Sequence, residues 1–186
     1  MLRGTQETEI KLAAPGVAAA RSLLRKAGFR VSRRRVFEAN TVFDTANRSL
    51  RQTNFLLRVR ETPGADTFTF KGAPLAAKYK TREELEVGLS SAAKCGLILQ
   101  RLGYEPAFRY EKYRTEFRLP GTSGVATLDE TPIGVYLELE GRPRWIDRMA
   151  RRLGFREREY ITASYGRLYL DWCAVRKVEP GHMVFG

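Results

Sequence analysis

The sequence predicts an α+β domain rich in antiparallel strand pairs, on two observations. Eight extended segments are separated by turn signals, with only a few helix-like segments among them. At least six of the extended segments also alternate between an apolar face and a charged face, which is the period of a strand and not of a helix.

The elements follow in chain order. The first strand, 5–12, contains "ETEIKL"; Glu7, Glu9 and Lys11 share one face, while Thr8, Ile10 and Leu12 share the other. Residues 15–27 have helix-forming composition, with Pro15 at the start and Gly28 past the end. Strands are predicted over 31–43, 54–61, 66–72 and 81–89, with turns at "TPGAD" and "KGAP". A helix over 92–102 precedes strands 107–118, 124–130 and 134–140, which "PGTSG" and "TPIG" separate. Helices over 143–153 and 164–175 complete the pattern. Three of the helices end on Gly28, Gly103 and Gly154, each followed by an aromatic, a weak internal echo of one unit. Residues 1–175 are therefore read as one domain and 176–186 as a tail.

Composition narrows the chemistry. The chain has 186 residues, 43% of them hydrophobic and 29% charged, which is enough for a core and ordinary for a soluble domain. No apolar run reaches membrane-span length and no signal-peptide core is visible, so the chain is read as cytoplasmic. Cys95 and Cys173 lie far apart with no Cys/His cluster, which argues against zinc and against a disulfide. His182, the only histidine, sits in the tail, so histidine base chemistry is not expected within the domain. Any metal must then be a hard ion held by carboxylates, Mg²⁺ or Mn²⁺. A net charge of +12 suggests a polyanionic partner, or else a surface that simply uses Arg freely.

The charged faces carry the functional signal. Arg58 and Arg60 share a face; so do Thr67, Thr69 and Lys71; so do Arg82, Glu84 and Glu86. Lys112, Arg114, Glu116 and Arg118 share another, as do Val125, Thr127 and Asp129, and Glu138 and Glu140. An open sheet could leave these faces in water. A closed barrel would instead turn them inward and cover its apolar exterior with helices. Two features favour the barrel: the faces are repeatedly Arg and Glu rather than mixed polar residues, and the charge is zoned. Carboxylates come from the first and last strands, basic groups mostly from the middle ones. Buried charges need partners. A divalent metal would answer the carboxylates and a polyphosphate the cations.

The "ETEIK" segment resembles the ExExK signature of the CYTH proteins, the triphosphate tunnel metalloenzymes. The similarity continues through "VFDTANRSLRQTNFLLRVRE", "FTFKG", "KTREELEV", "EKYRTEF", "TLDETPIGVYLELE" and "SYGRLYL", over about residues 5–170. It implies a closed eight-stranded antiparallel β-barrel, the triphosphate tunnel, with a charged lumen packed by outer helices. It implies metal binding by Glu7, Glu9, Asp129, Glu138 and Glu140. It implies triphosphate binding by Arg58, Arg60, Lys71, Arg82, Lys112 and Arg114, with Lys11, Lys71 and Arg114 in catalytic positions and Glu84 pairing across the lumen.

The function expected is metal-dependent hydrolysis of a triphosphate-containing small molecule. The alternative is a class IV adenylyl cyclase making cyclic AMP and pyrophosphate, to whose branch "KTREELEV" is most similar. A basic module for RNA or polyphosphate is the non-enzyme reading. The sequence leaves a homodimer open. One departure stands out: a tyrosine frequent in the family before the "DT" pair is absent at Val42-Phe43. Tyr79 and Tyr113 are read as packing residues rather than substitutes. The Arg runs at 30–36 and 142–158 read as solvated faces, since no aromatics interleave with them. Trp145, Trp172 and Tyr165, at helical spacing, read as core or interface.

Overall fold

The computed structural model of the chain describes residues 4–75 and 78–186. Its strands are β1 (Thr5–Ala14), β2 (Arg30–Thr45), β3 (Leu56–Glu61), β4 (Asp66–Lys71), β5 (Lys80–Leu89), β6 (Tyr104–Arg118), β7 (Val125–Thr131) and β8 (Gly134–Glu140). They close into a barrel in the order β1-β5-β4-β3-β2-β6-β7-β8, every neighbour antiparallel. The expected closed eight-stranded barrel is therefore present, and its strand edges are consumed by closure.

Alternation decides which way each strand faces. Ile10 and Leu12 of β1, Phe117 of β6, Leu128 of β7 and Leu137 and Leu139 of β8 point outward into an apolar layer. Helices α1 (Val17–Lys26) and α4 (Pro143–Arg152) cover that layer with Ala20, Leu24, Trp145, Ile146 and Met149. Helix α3 (Ala92–Arg101) covers the far side, packing Ala92 and Leu99 on Phe43 and Val59. The hydrophobic core thus lies outside the barrel, and the charged faces are left to the lumen. Close packing shows at Gly124, where an added Cβ would come within 2.4 Å of the Trp145 ring. Trp145 is core, as its spacing suggested. No helix among the described residues is long and apolar enough to cross a membrane. Both cysteines are free thiols.

Two parts of the fold are not visible in the periodicity. The short helix α2 (Ser49–Gln52) follows the "DT" pair, and buried Asp44 caps it by accepting from the backbone N–H groups of Leu50 and Arg51 at 3.0 and 3.1 Å. The other is the C-terminal segment. β7 pairs with β6 only from Tyr113 onward, which leaves the edge of β6 open below that point. Met183 fills the gap: its N–H donates to the Arg109 carbonyl and its carbonyl accepts from Glu111 N–H. The Met183 side chain is 1% exposed, packed with Tyr110, Tyr165, Tyr169 and Cys173.

Met183 therefore contributes to stability although it lies near the end of the chain. Met183→Ala should lower unfolding free energy by about 2–4 kcal/mol, the cost of an emptied apolar site. Val184→Ala, at a solvent-exposed neighbour, should cost no more than about 0.5 kcal/mol. Urea unfolding of the two variants checks the difference.

Candidate active site

The inward faces meet in one cavity of about 840 Å³. β1 brings Glu7, Glu9 and Lys11; β3 brings Arg58 and Arg60; β4 brings Lys71; β5 brings Lys80, Arg82, Glu84 and Glu86. β6 brings Tyr110, Lys112 and Arg114, and β8 brings Glu138 and Glu140. The lining thus contains every predicted site residue except Asp129, which sits behind it in the wall with no exposure at all.

Register explains the zoning. β1 lies beside β8, so Glu9 faces Glu140 and Lys11 faces Glu138. On its other side Glu7 faces Arg82 and Glu9 faces Lys80. Carboxylates from the two ends of the sequence are thereby gathered, while β3, β4 and β6 bring cations from the opposite wall.

Most lumen charges are matched. Lys11 lies 3.2 Å from both Glu9 and Glu138, and Lys80 lies 2.8 Å from Glu9. Lys71 donates to Glu84, which Arg82 also reaches at 3.1 Å. Arg114 grips Asp129 with two nitrogens, at 2.7 and 2.6 Å, and also donates to Glu138. Lys112 lies 2.8 Å from Asp129, and Arg58 lies 3.3 Å from Glu86. Burial alone would raise Glu9, but Lys11 and Lys80 hold it well below the usual carboxylate range. Burial opposes ionisation of Asp129 too, yet Arg114 and Lys112 bring it down to about 2.

Glu7 and Glu140 differ. Neither has an ion-pair partner among the described residues. Burial first, then the neighbouring Glu84 and Glu140 charges, push Glu7 up to about 8. Burial, with Glu9 and Glu138 beside it, raises Glu140 as well. Between its ordinary value of 4.5 and about 8, Glu7 keeps a proton in the folded protein that the unfolded chain has lost. Its contribution to stability is thus lost as pH rises through about 8, unless a cation replaces the proton. Two carboxylates that lack cations of their own and are crowded by other acidic groups are a donor set suited to a hard divalent ion. In this arrangement no three acidic, His or Cys side chains among the described residues converge closely enough to cage one.

Asp129 is tied into the barrel wall. Its oxygens accept from Lys112, Arg114 and the Tyr165 hydroxyl, the last at 2.7 Å, so they are taken by the wall itself. Tyr165 stands at the start of α5 (Tyr165–Arg176), and the ammonium groups of Lys11 and Lys112 each lie 5.1 Å from its ring centre. Read from sequence as a core aromatic, it is buried but braces the lumen.

Sequence reasoning missed several lumen residues. Glu38 and Asn40 of β2 face Lys112 and Tyr110 across the β2–β6 pair, and Glu38 pairs with Arg60 at 3.5 Å. Lys80 and Tyr110 were also passed over. Each lies two residues from a residue that alternation did place inward, which was the available signal. Tyr79 and Tyr113 lie outside the lumen: Tyr79 donates to Asp147 at 2.9 Å, and Tyr113 packs on Phe37 beneath the Arg35 guanidinium.

A closed tunnel with cations opposing carboxylates defines a class, and comparison supplies its name. The CYTH domain model matches residues 5–165, and the chain belongs to the CYTH family. A protein of Methanocaldococcus jannaschii named "Putative adenylate cyclase" is 30% identical over 135 residues, covering 72% of this chain and 75% of that one. A protein of Vibrio parahaemolyticus with the same label shares the fold with a TM-score of 0.76 at 21% identity, covering 89% of this chain and 98% of its own. A Hippeastrum protein shares it with a TM-score of 0.64 at 18% identity, covering 89% and 95%. That protein is named "Putative adenylyl cyclase" and described as revealing a dominant triphosphatase activity.

Asp129 holds two cations that carry the basic wall. Asp129→Asn should destabilise the fold by about 3 kcal/mol, since it strips buried Lys112 and half-buried Arg114 of their shared anion. In the native chain this contribution is complete above about pH 3.8 and is lost as pH falls through about 2. Unfolding curves collected down the acid range should therefore be flatter for the variant than for the native chain.

Proposed function

We propose that the protein is a divalent-metal-dependent triphosphatase acting on a triphosphate-containing small molecule. The observation that carries this reading is the opposition, across one cavity, of the cations of β3, β4 and β6 to Glu7 and Glu140, two carboxylates without cations of their own. The fold family points the same way, and so does the activity described for the Hippeastrum protein. The label of the Methanocaldococcus relative favours the second reading, cyclisation of ATP to cyclic AMP and pyrophosphate.

In this reading Arg58, Arg60, Lys71, Arg82, Lys112 and Arg114 neutralise and align the phosphates. Their side chains are largely locked already: Arg58 by Thr69 and Glu86, Arg60 by Asn40 and Glu38, Arg114 by Asp129. Donors fixed in advance stabilise a charged transition state without reorganising at the moment of reaction. Glu7, Glu9, Glu138 and Glu140 would hold Mg²⁺ or Mn²⁺, with Glu9 and Glu138 already kept ionised by Lys11. When bound, the ion supplies Lewis-acid stabilisation of charge on the phosphoryl group and acidifies a bound water. Asp129 orients Lys112 and Arg114 rather than acting as a ligand. Lys11 sits between Glu9 and Glu138, within reach of a phosphate drawn to both walls.

Purified protein incubated with ATP, inorganic triphosphate and thiamine triphosphate, each in Mg²⁺ and in Mn²⁺, tests the reading. Release of inorganic phosphate without cyclic nucleotide is the expected outcome; cyclic AMP plus pyrophosphate as main products would establish the cyclase instead. Glu140→Gln should lower turnover at least ~100-fold, on the order of 3 kcal/mol in the barrier, while leaving the fold intact. At neutral pH, Mg²⁺ added to the native chain should release protons, and Glu7→Gln should release fewer. Full turnover and unchanged proton release in these variants would remove the metal assignment.

A further inference from the structure

Three phenols line the cavity: Tyr110, Tyr165 and Tyr169. Two are occupied by the protein. The Tyr165 hydroxyl donates to Asp129, and Tyr169 accepts from the Gly181 N–H at 3.3 Å. Burial and the Asp129 charge push Tyr165 well above the ordinary range, so its proton is locked in place. Tyr110 differs. Its oxygen accepts from Arg58 Nη1 at 3.5 Å and donates to no group among the described residues. It projects inward from β6 on the same face as Lys112 and Arg114, among the groups that grip phosphate in the reading above.

We propose that Tyr110 is a catalytic residue, the acceptor of the proton from the water that attacks the bound triphosphate. The inference rests on the triphosphatase reading and adds a group that reading does not name. In the step, the water oxygen forms a bond to the terminal phosphorus. The bond from that phosphorus to the bridging oxygen breaks, its electron pair leaving with the diphosphate. The water proton passes to the Tyr110 phenolate, which becomes a phenol and returns that proton to solvent after product leaves.

The surroundings suit the task. Arg58 and Arg60 face the ring from β3, Lys112 flanks it on β6, and Asn40 opposes it on β2. Glu38 lies beyond Asn40 and is paired with Arg60 and Lys112. Glu86 reaches Arg58 from β5, Tyr165 packs from α5, and exposed His182 tilts against the neighbouring Phe108 ring while its Nδ1 accepts from the Arg109 N–H at 3.2 Å. Cations are therefore the nearest charges. Burial would raise the phenol, but Arg58, Lys112 and Arg60 bring it down to about 8. A phenolate is thus accessible near neutral pH, where an ordinary tyrosine is a closed hydroxyl. The backbone behind it is fixed, because Met183 bridges to β6 at Tyr110.

The test compares the native chain with Tyr110→Phe, which keeps the ring and its packing. Turnover of the best triphosphate substrate in Mg²⁺ should fall about 100-fold, the low end for a lost general base, with KM changed less than about 3-fold. The pH profile of kcat/KM should rise with an apparent pKa near 8 in the native chain and lose that limb in the variant. Tyrosinate absorbance of the metal-free, substrate-free protein supplies a readout independent of activity. One phenol should ionise near pH 8 in the native chain and be missing from Tyr110→Phe. If the variant does not fold, native-chain titration still decides, since no tyrosinate below pH 9 or so would overturn the proposal. An unchanged kcat and pH profile in Tyr110→Phe would overturn it too. A loss confined to KM would do the same, marking Tyr110 as a support for Arg58. A native chain that turns over no triphosphate would overturn the reading of the site itself, whereas an active native chain with an indifferent variant would remove Tyr110 alone.

Discussion

The structure depends on one constraint: charges turned into the lumen of a closed barrel lose water and must be met by other charges. Ion pairs of this kind are a poor source of stability, since desolvation consumes much of the Coulombic gain. The stabilising burial is elsewhere, in the apolar layer between the strands and α1, α3 and α4. Because the two functions are separated, the lumen can be chosen for what it binds while the exterior holds the fold. Closure serves both, since it removes sheet edges and gathers the charged faces around one interior. The C-terminal segment belongs to the same logic. Where β7 leaves the edge of β6 uncovered, Met183 supplies the missing backbone partner and seals the side chains beneath.

Much of this was legible in the sequence, because a strand's period of two assigns every residue to a face. Once Glu7, Glu9 and Lys11 are on one face, Ile10 and Leu12 must be on the other, and all eight strands could be placed within a few residues. What periodicity cannot give is order around the barrel. That β1 lies between β5 and β8 follows from pairings dozens of residues apart, and only those pairings show that Glu7 meets Arg82 and Glu9 meets Glu140. The same limit hid Glu38, Asn40 and Lys80, whose importance lies in what they face rather than where they fall in a motif. Tyr165 is core, as its spacing suggests, but spacing does not show its second contact. An aromatic at helical spacing looks like core, and α5 does bury it, but its first turn reaches Asp129 in the barrel wall.

Pairing sorts the lumen charges into two kinds. Asp129 and Glu38 are held at about 2 by several cations and exchange nothing over any ordinary pH. They are scaffolding, and their work is to fix guanidinium and ammonium groups in space. Glu7, Glu140, Lys71 and Tyr110 have titrations displaced towards neutral pH instead, Glu7, Lys71 and Tyr110 each to about 8. Groups of this second kind are where a bound cation, a phosphate or a proton changes the local balance most. The first kind had to be present for the second to be poised, since without Asp129 and Glu38 the surplus of cations would repel itself.

Polarity also divides the cavity along its length. Most of its charged lining is built from strands, where register fixes it, while Arg51 of α2 and Arg167 of α5 are supplied by helices. Beyond Tyr110 the lining turns to Val42, Phe108, Tyr169, Leu170 and the Pro180-Gly181 turn. Phe108 stacks on Tyr110 at 5.9 Å between ring centres and tilts against Tyr169 at 5.8 Å. A bare inorganic triphosphate has nothing to place against such surfaces, whereas a ring attached to one has. This end is supplied largely by α5 and the segment after it, which can change without altering any strand register. The barrel therefore fixes what kind of anionic group can be held. The elements laid over its mouth shape what that group can be attached to, so the two parts of the site can vary independently.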